Sequence, residues 1–103
     1  MKLINQEVAE QIPALYSQEE NEDPTVYLKF FTPWSNWTWY ATEFDGTDIF
    51  FGLVQGLEQE WGYFSLAELE SARGPFGLRI ERDLYFRPKP ISQVLGKAIN
   101  QED

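Results

Sequence analysis

The 103-residue chain contains no cysteine and no histidine. Without cysteine, disulfides and thiolate metal sites are excluded, which agrees with a reducing compartment. Without histidine, the chain lacks the commonest general base and the commonest transition-metal ligand. Nucleophile arrangements built on a serine–histidine or cysteine–histidine pair are excluded with it. The seven glycines fit neither phosphate-loop nor dinucleotide spacing. No apolar run approaches the roughly 20 residues of a membrane span. The first residues, Met-Lys-Leu-Ile-Asn-Gln-Glu, hold no apolar stretch of signal-peptide length. A soluble cytoplasmic protein without cofactor is expected. Basic residues are scarce as well: 8 Lys and Arg stand against 17 Asp and Glu, for a net charge of −9.

That charge is uneven. Residues 1–72 hold 13 acids and two bases, Lys2 and Lys29, whereas residues 73–103 carry a net charge of +2. Such a chain is repelled by free nucleic acid and anionic membranes and attracted to basic surfaces. The plainer reading is that the acids only maintain solubility. Apolar residues make up 43% and aromatics 17% of the chain, which argues for a packed core and against disorder. The length suits one domain spanning residues 1–103.

Local patterning predicts an α+β fold. Asn5 can cap a short helix through Gln11, which Pro13 stops. Residues 17–24 form an acidic loop. Strand formers dominate residues 25–32, and residues 37–44 alternate, with Trp37, Trp39 and Ala41 on one face. Asp45-Gly46 signals a turn. Residues 49–55 read as a central strand and residues 58–64 as a fourth. The short links favour an antiparallel meander. Ser65 and Glu68 match a capping box that opens a helix to about Ala72, which Gly74-Pro75 ends. Residues 78–86 alternate partly and predict a further strand. Ser92 is expected to cap a last helix to about Ile99, with residues 100–103 fraying. Strands followed by helices on one side give the α+β architecture.

Candidate chemistry is sparse. Glu58 and Glu60 would share a strand face, but carboxylates so placed are usually a solvated face and not an acid–base pair. Glu43, Asp45 and Asp48 surround a turn and offer oxygen ligands, yet the spacing is not that of a calcium loop, and Asp-Gly has a conformational explanation. No catalytic residue, metal site or enzymatic activity is expected. Glu19, Glu20, Glu22 and Asp23 form the densest charge run. They read either as a mobile solvated loop or as a contact for a basic groove. With Glu43, Asp45, Asp48, Glu58 and Glu60 they could imitate a row of phosphates, because alternate residues on a strand lie about 6.6 Å apart and duplex phosphates about 7 Å. Trp34, Trp37, Trp39 and Tyr40 fall within seven residues. Most belong in a core, but Trp34, if it lies in the loop, is a candidate protein-contact anchor. Stacking on single-stranded bases needs a positive groove, which this acidic half lacks. The basic residues Arg73, Arg79, Arg82, Arg87 and Lys89 are expected to pair internally, with Glu81 and Asp83 alternating among them.

Several segments together resemble a known family. They include Pro13-Ala14-Leu15-Tyr16-Ser17-Gln18-Glu19, Lys29-Phe30-Phe31-Thr32-Pro33 and the run from Ser35 to Asp45. Phe51-Gly52-Leu53-Val54, Gly62-Tyr63-Phe64-Ser65-Leu66 and Glu81-Arg82-Asp83-Leu84-Tyr85-Phe86 complete the set. They resemble the bacterial domain-of-unknown-function family 2958, which occurs on plasmids, conjugative elements and phages. A member of about this length is similar to a type II-A anti-CRISPR protein that blocks Cas9. The resemblance implies a mobile-element anti-defence protein that inhibits Cas9 or its guide-RNA complex by binding through an acidic surface, as a possible DNA mimic; a monomer without direct contact to nucleic acid or membrane is expected. The alternative is a protein-interaction module of plasmid or conjugative machinery. The resemblance carries over no catalytic residue.

Overall fold

The structure, a computed structural model, describes residues 2–96. The expected end of the last helix and the frayed tail lie outside the described residues. The fold is α+β. Helix α1 (Gln6–Ala9) is followed by strands β1 (Thr25–Val26), β2 (Leu28–Phe31), β3 (Thr38–Phe44), β4 (Ile49–Gln55) and β5 (Gln59–Ser65). Helix α2 (Leu66–Ser71), a 3-10 turn (Pro75–Gly77), β6 (Glu81–Arg82), β7 (Lys89–Pro90) and α3 (Ile91–Leu95) complete it. The main sheet is antiparallel in the order β5-β4-β3-β2-β6, and β1 pairs with β7 in a separate ribbon.

Local signals fix several of these elements. Asn5 accepts the Val8 N–H at 2.8 Å and starts α1. Asp45 Oδ1 accepts the amides of Thr47, Asp48 and Ile49, closing the β3–β4 turn around Gly46. The Ser65 hydroxyl accepts the Glu68 N–H at the start of α2. Asp48 adds a second cap there, accepting from the Ser65 hydroxyl and from Ala67 N–H at 2.8 Å each. Supplying acceptors to the orphan amides of a first turn stabilises a helix by about 1 kcal/mol per cap.

Four sequence-based expectations need correction. The strand over residues 25–32 is two strands, because the chain changes partner at Tyr27: Thr25 and Val26 pair with Pro90 and Lys89, whereas Leu28 to Phe31 pair with β3. The strand over residues 78–86 shrinks to Glu81–Arg82, because Asp83 accepts Tyr85 N–H and turns the chain. Ser92 does not cap α3. Pro90 occupies the cap position without a side-chain bond, and Asp23 from the acidic loop accepts both Ser92 N–H at 2.9 Å and the Ser92 hydroxyl at 2.7 Å. The ion pairing expected of Arg73, Arg79, Arg82, Arg87 and Lys89 is found for none of them among the described residues. Lys29–Asp83 at 3.9 Å is the ion pair among the described residues, whereas Arg79 and Arg82 donate to the Glu70 and Leu3 carbonyls.

Apolar residues cover both faces of the sheet. On the first face, Phe30, Ala41, Phe44 and Phe50 pack with Leu3, Ile4 and Ile12 from the N-terminal segment, Leu69 from α2 and Ile80. Phe50 lies at the centre, its ring 4.3 Å from that of Phe44, 5.3 Å from Phe64 and 5.4 Å from Phe30. A fully buried phenylalanine contributes about 2–3 kcal/mol through burial alone. On the second face, Val26, Tyr40, Leu53 and Ile91 form a smaller cluster under α3. Burial, and secondarily the charge of Asp83, raises the Tyr40 phenol above its ordinary value. This cluster leaves the β4–β5 end of the second face uncovered by α3.

One irregularity decides what that uncovered end displays. Ala41 pairs with Gly52, but Glu43 pairs with Phe51, so β3 bulges at Thr42. A bulge inserts one residue and inverts the side-chain alternation beyond it. Continued alternation from Trp39 and Ala41 would point Glu43 into the phenylalanine core. The bulge instead turns Phe44 into that core and Glu43 to the second face. Side chains satisfy the carbonyls that the bulge leaves out of the ladder: Thr42 Oγ1 donates to the Phe51 carbonyl at 3.0 Å, and Gln18 Nε2 donates to the Thr42 carbonyl at 2.8 Å.

Candidate functional site

Strand β5 runs Gln-Glu-Trp-Gly-Tyr-Phe-Ser, so its period of two places Trp61 and Tyr63 on one face. Pairing sets Tyr63 opposite Phe51 and Trp61 opposite Leu53. The Phe51 and Trp61 rings are nearly parallel, with centroids 5.9 Å apart and planes at 17°. Tyr63 meets Phe51 edge to face at 5.0 Å. Trp61 remains 44% and Tyr63 55% exposed. Large apolar rings left on an uncovered sheet face mark a contact surface more often than a packing surface.

The acidic loop folds over one side of this aromatic strip. Glu43 is buried and accepts two loop amides, Tyr16 N–H through Oε1 and Gln18 N–H through Oε2, at 2.8 Å each. Gln18 adds side-chain bonds to the Thr25 carbonyl, the Thr25 amide and the Thr42 carbonyl. These bonds hold the loop against β1 and the bulge, so the mobile solvated loop expected from its charge is a pinned one. Tyr16 is carried at φ 72°, a left-handed conformation that costs a non-glycine residue about 1 kcal/mol or more. The Tyr63 phenol is pushed above its ordinary value, first by the Tyr16 phenol, then by desolvation and by the charges of Glu43 and Glu19.

Loop and strip enclose a surface hollow of about 530 Å³. Tyr16, Phe51, Trp61 and Tyr63 provide its aromatic walls, Glu43 lies at its base, and Glu19 and Glu22 stand on its rim. The volume is typical of ligand-binding clefts. Its chemistry combines π faces with carboxylates, which suits a cation. Among the described residues, no group of three or more carboxylates is arranged to hold a metal ion. No described helix is long and apolar enough to cross a membrane.

The ten residues expected to contact a partner divide into two sets. Five are committed to the fold. Glu43 clamps the loop, Asp45 closes a turn, Asp48 caps α2 and Asp23 anchors α3. Interaction with the turn amides of Asp48, Thr47 and Ile49 lowers the Asp45 carboxyl below its ordinary value. The fifth, Trp34, lies in the β2–β3 loop but is half-buried against the main core, its indole lying flat on Gly74 so closely that a Cβ there would sit 2.3 Å from the ring. The other five, Glu19, Glu20, Glu22, Glu58 and Glu60, are exposed. Glu19 and Glu22 reach the aromatic hollow, whereas Glu58 and Glu60 line a separate one of about 490 Å³ beside Leu57 and Trp37. Glu58 belongs to the turn and not to β5, so it and Glu60 are not a strand-face pair.

Sequence reasoning missed Tyr16, Gln18, Phe51, Trp61 and Tyr63. The spacing of Trp61 and Tyr63 reveals that they share a face, but not that α3 stops short of it.

The family model described as "Protein of unknown function (DUF2958)" matches residues 3–103, and the chain belongs to that family. Neither a curated protein nor a solved structure matches the chain.

Proposed function

We propose that this DUF2958 member works by binding and not by catalysis, and that it inhibits Cas9 or the Cas9–guide RNA complex by offering acidic surface to a basic one. The observation that carries this reading is the division among the carboxylates. Once Asp23, Glu43, Asp45 and Asp48 are spent on the fold, Glu19, Glu20 and Glu22 still project from a pinned loop next to exposed aromatic rings. A rigid acidic loop loses less entropy on binding than a mobile one. Cas9 holds nucleic acid in positive channels and reads its short DNA motif with arginines, so such a surface competes for groups that otherwise meet phosphate. The Cas9 assignment itself comes from the family resemblance.

The test is cleavage of target DNA by Cas9, with and without the protein, at low and high salt. Inhibition should weaken as salt rises, because exposed charges are screened beyond about 10 Å at 0.1 M. The triple variant Glu19→Lys, Glu20→Lys, Glu22→Lys leaves the structural Asp23 intact and should abolish inhibition while remaining folded. Full inhibition by that folded variant removes the loop as the contact. If the unaltered protein leaves cleavage unchanged at every salt concentration, Cas9 is not the direct partner.

A further inference from the structure

We propose that the hollow between the loop and β5 is a receptacle for an arginine side chain carried on a basic segment of a protein partner. The inference rests on the binding reading above and names the group recognised.

The walls supply what a guanidinium requires. Phe51 and Trp61 present nearly parallel faces, and Tyr63 and Tyr16 close the sides. Cations are attracted to Trp and Tyr faces within about 6 Å, and arginine more often than lysine, because its planar, weakly hydrated guanidinium stacks on rings. Glu19 and Glu22 on the rim provide carboxylates for charge-assisted, bidentate hydrogen bonds. Glu43 adds negative potential at the base, although both its oxygens already accept backbone amides. The volume of about 530 Å³ exceeds that of one guanidinium and leaves room for adjoining chain.

The same features disfavour a nucleic acid. Bases stack on such rings where a positive groove follows the backbone, whereas here the rim is acidic. Lys29, Arg82 and Lys89 belong to β2, β6 and β7, and none lines this hollow.

An NMR titration of the full ¹⁵N-labelled chain tests the proposal. The probes are acetyl-Gly-Arg-Gly-Arg-Gly-amide and its counterpart with citrulline, which keeps the shape and removes the charge. The arginine peptide should shift the Trp61 indole and the Tyr16 and Glu22 amides saturably at millimolar concentration. The citrulline peptide should bind at least roughly tenfold more weakly, and Trp61→Ala should weaken the arginine peptide roughly five- to thirtyfold. Trp61 is partly exposed, so a preserved spectrum elsewhere verifies the fold of that variant. Equal binding of the two peptides, shifts confined to another face, or no shifts at all overturn the receptacle. The Cas9 assay on unaltered protein is scored separately. Inhibition with a failed peptide titration removes the receptacle and leaves the binding reading. Arginine-selective shifts without inhibition keep the receptacle and remove Cas9 as its source.

Discussion

Replacing Glu43 with glutamine tests how the site is built. The change preserves size and removes one of two acceptor oxygens. In the native protein these oxygens take the Tyr16 and Gln18 amides at 2.8 Å each, and the residue is only 4% exposed. A glutamine can accept one of those amides and must turn its NH₂ toward the other. A buried donor left unpaired costs about 1–3 kcal/mol, and a hydrogen bond to a charged group is worth about 1.5–3 kcal/mol. The loss should therefore be about 2 kcal/mol. In a chain of this size that lowers the melting temperature by about 10 °C. Urea unfolding gives the free energy, and amide hydrogen exchange locates it: Tyr16 and Gln18 should exchange faster, while β4 amides change only by the global loss. The hollow should loosen with them, because Tyr16 is one of its walls. A change below about 0.5 kcal/mol, typical of an ordinary surface substitution, together with unaltered exchange at Tyr16 and Gln18, would refute the clamp.

Two further predictions follow from single contacts. A Cβ at Gly52 would lie 1.8 Å from the Tyr40 carbonyl oxygen, a backbone atom that cannot move aside, whereas one at Gly62 would meet nothing within 4 Å. Gly52→Ala should cost about 3 kcal/mol or prevent folding, and Gly62→Ala should change stability by less than about 1 kcal/mol, both measured by urea unfolding. The second concerns acid. The Asp45 carboxyl is lowered mainly by the Asp48 amide and next by the Thr47 amide. A lowered folded value means that its stabilisation is fully present above the unfolded value, about 3.9, and is lost as pH falls through the folded value. Asp45→Asn keeps the acceptor oxygen without the charge. The stability gap between native protein and this variant should hold at neutral pH and close under strong acid, and an equal gap at both would count against it.

Much of the fold was legible because its signals are local. Asp45-Gly46 has the turn chemistry that one acceptor oxygen and three nearby amides confirm. Ser65 caps α2 from the position its spacing implies. The apolar run at residues 49–55 coincides with β4 and supplies the central Phe50. Signals failed where partners are distant in sequence. Asp23 caps α3 from 69 residues away, and the local serine at position 92 is a donor to that carboxylate and not the cap. The run over residues 25–32 carries no mark at Tyr27, where one strand ends and another begins, because the change is in pairing partner alone.

The candidate site follows the same division. Composition by itself determined an acidic, aromatic chain without thiol or imidazole, and hence a net negative field that favours basic surfaces over anionic ones. Period-two spacing determined that Trp61 and Tyr63 share a face. It could not determine which face, nor which acids among the described residues are tied into the fold and which stay exposed. The tertiary structure decided both. Helix α3 covers the second sheet face at Tyr40 and Leu53 and leaves Phe51, Trp61 and Tyr63 in the hollow. One extra residue at Thr42 turns Glu43 out of the phenylalanine core and under the loop. A carboxylate meets its donors only after the sheet has registered and the loop has closed, so whether it serves the fold or the surface is a long-range property that adjacent residues do not encode.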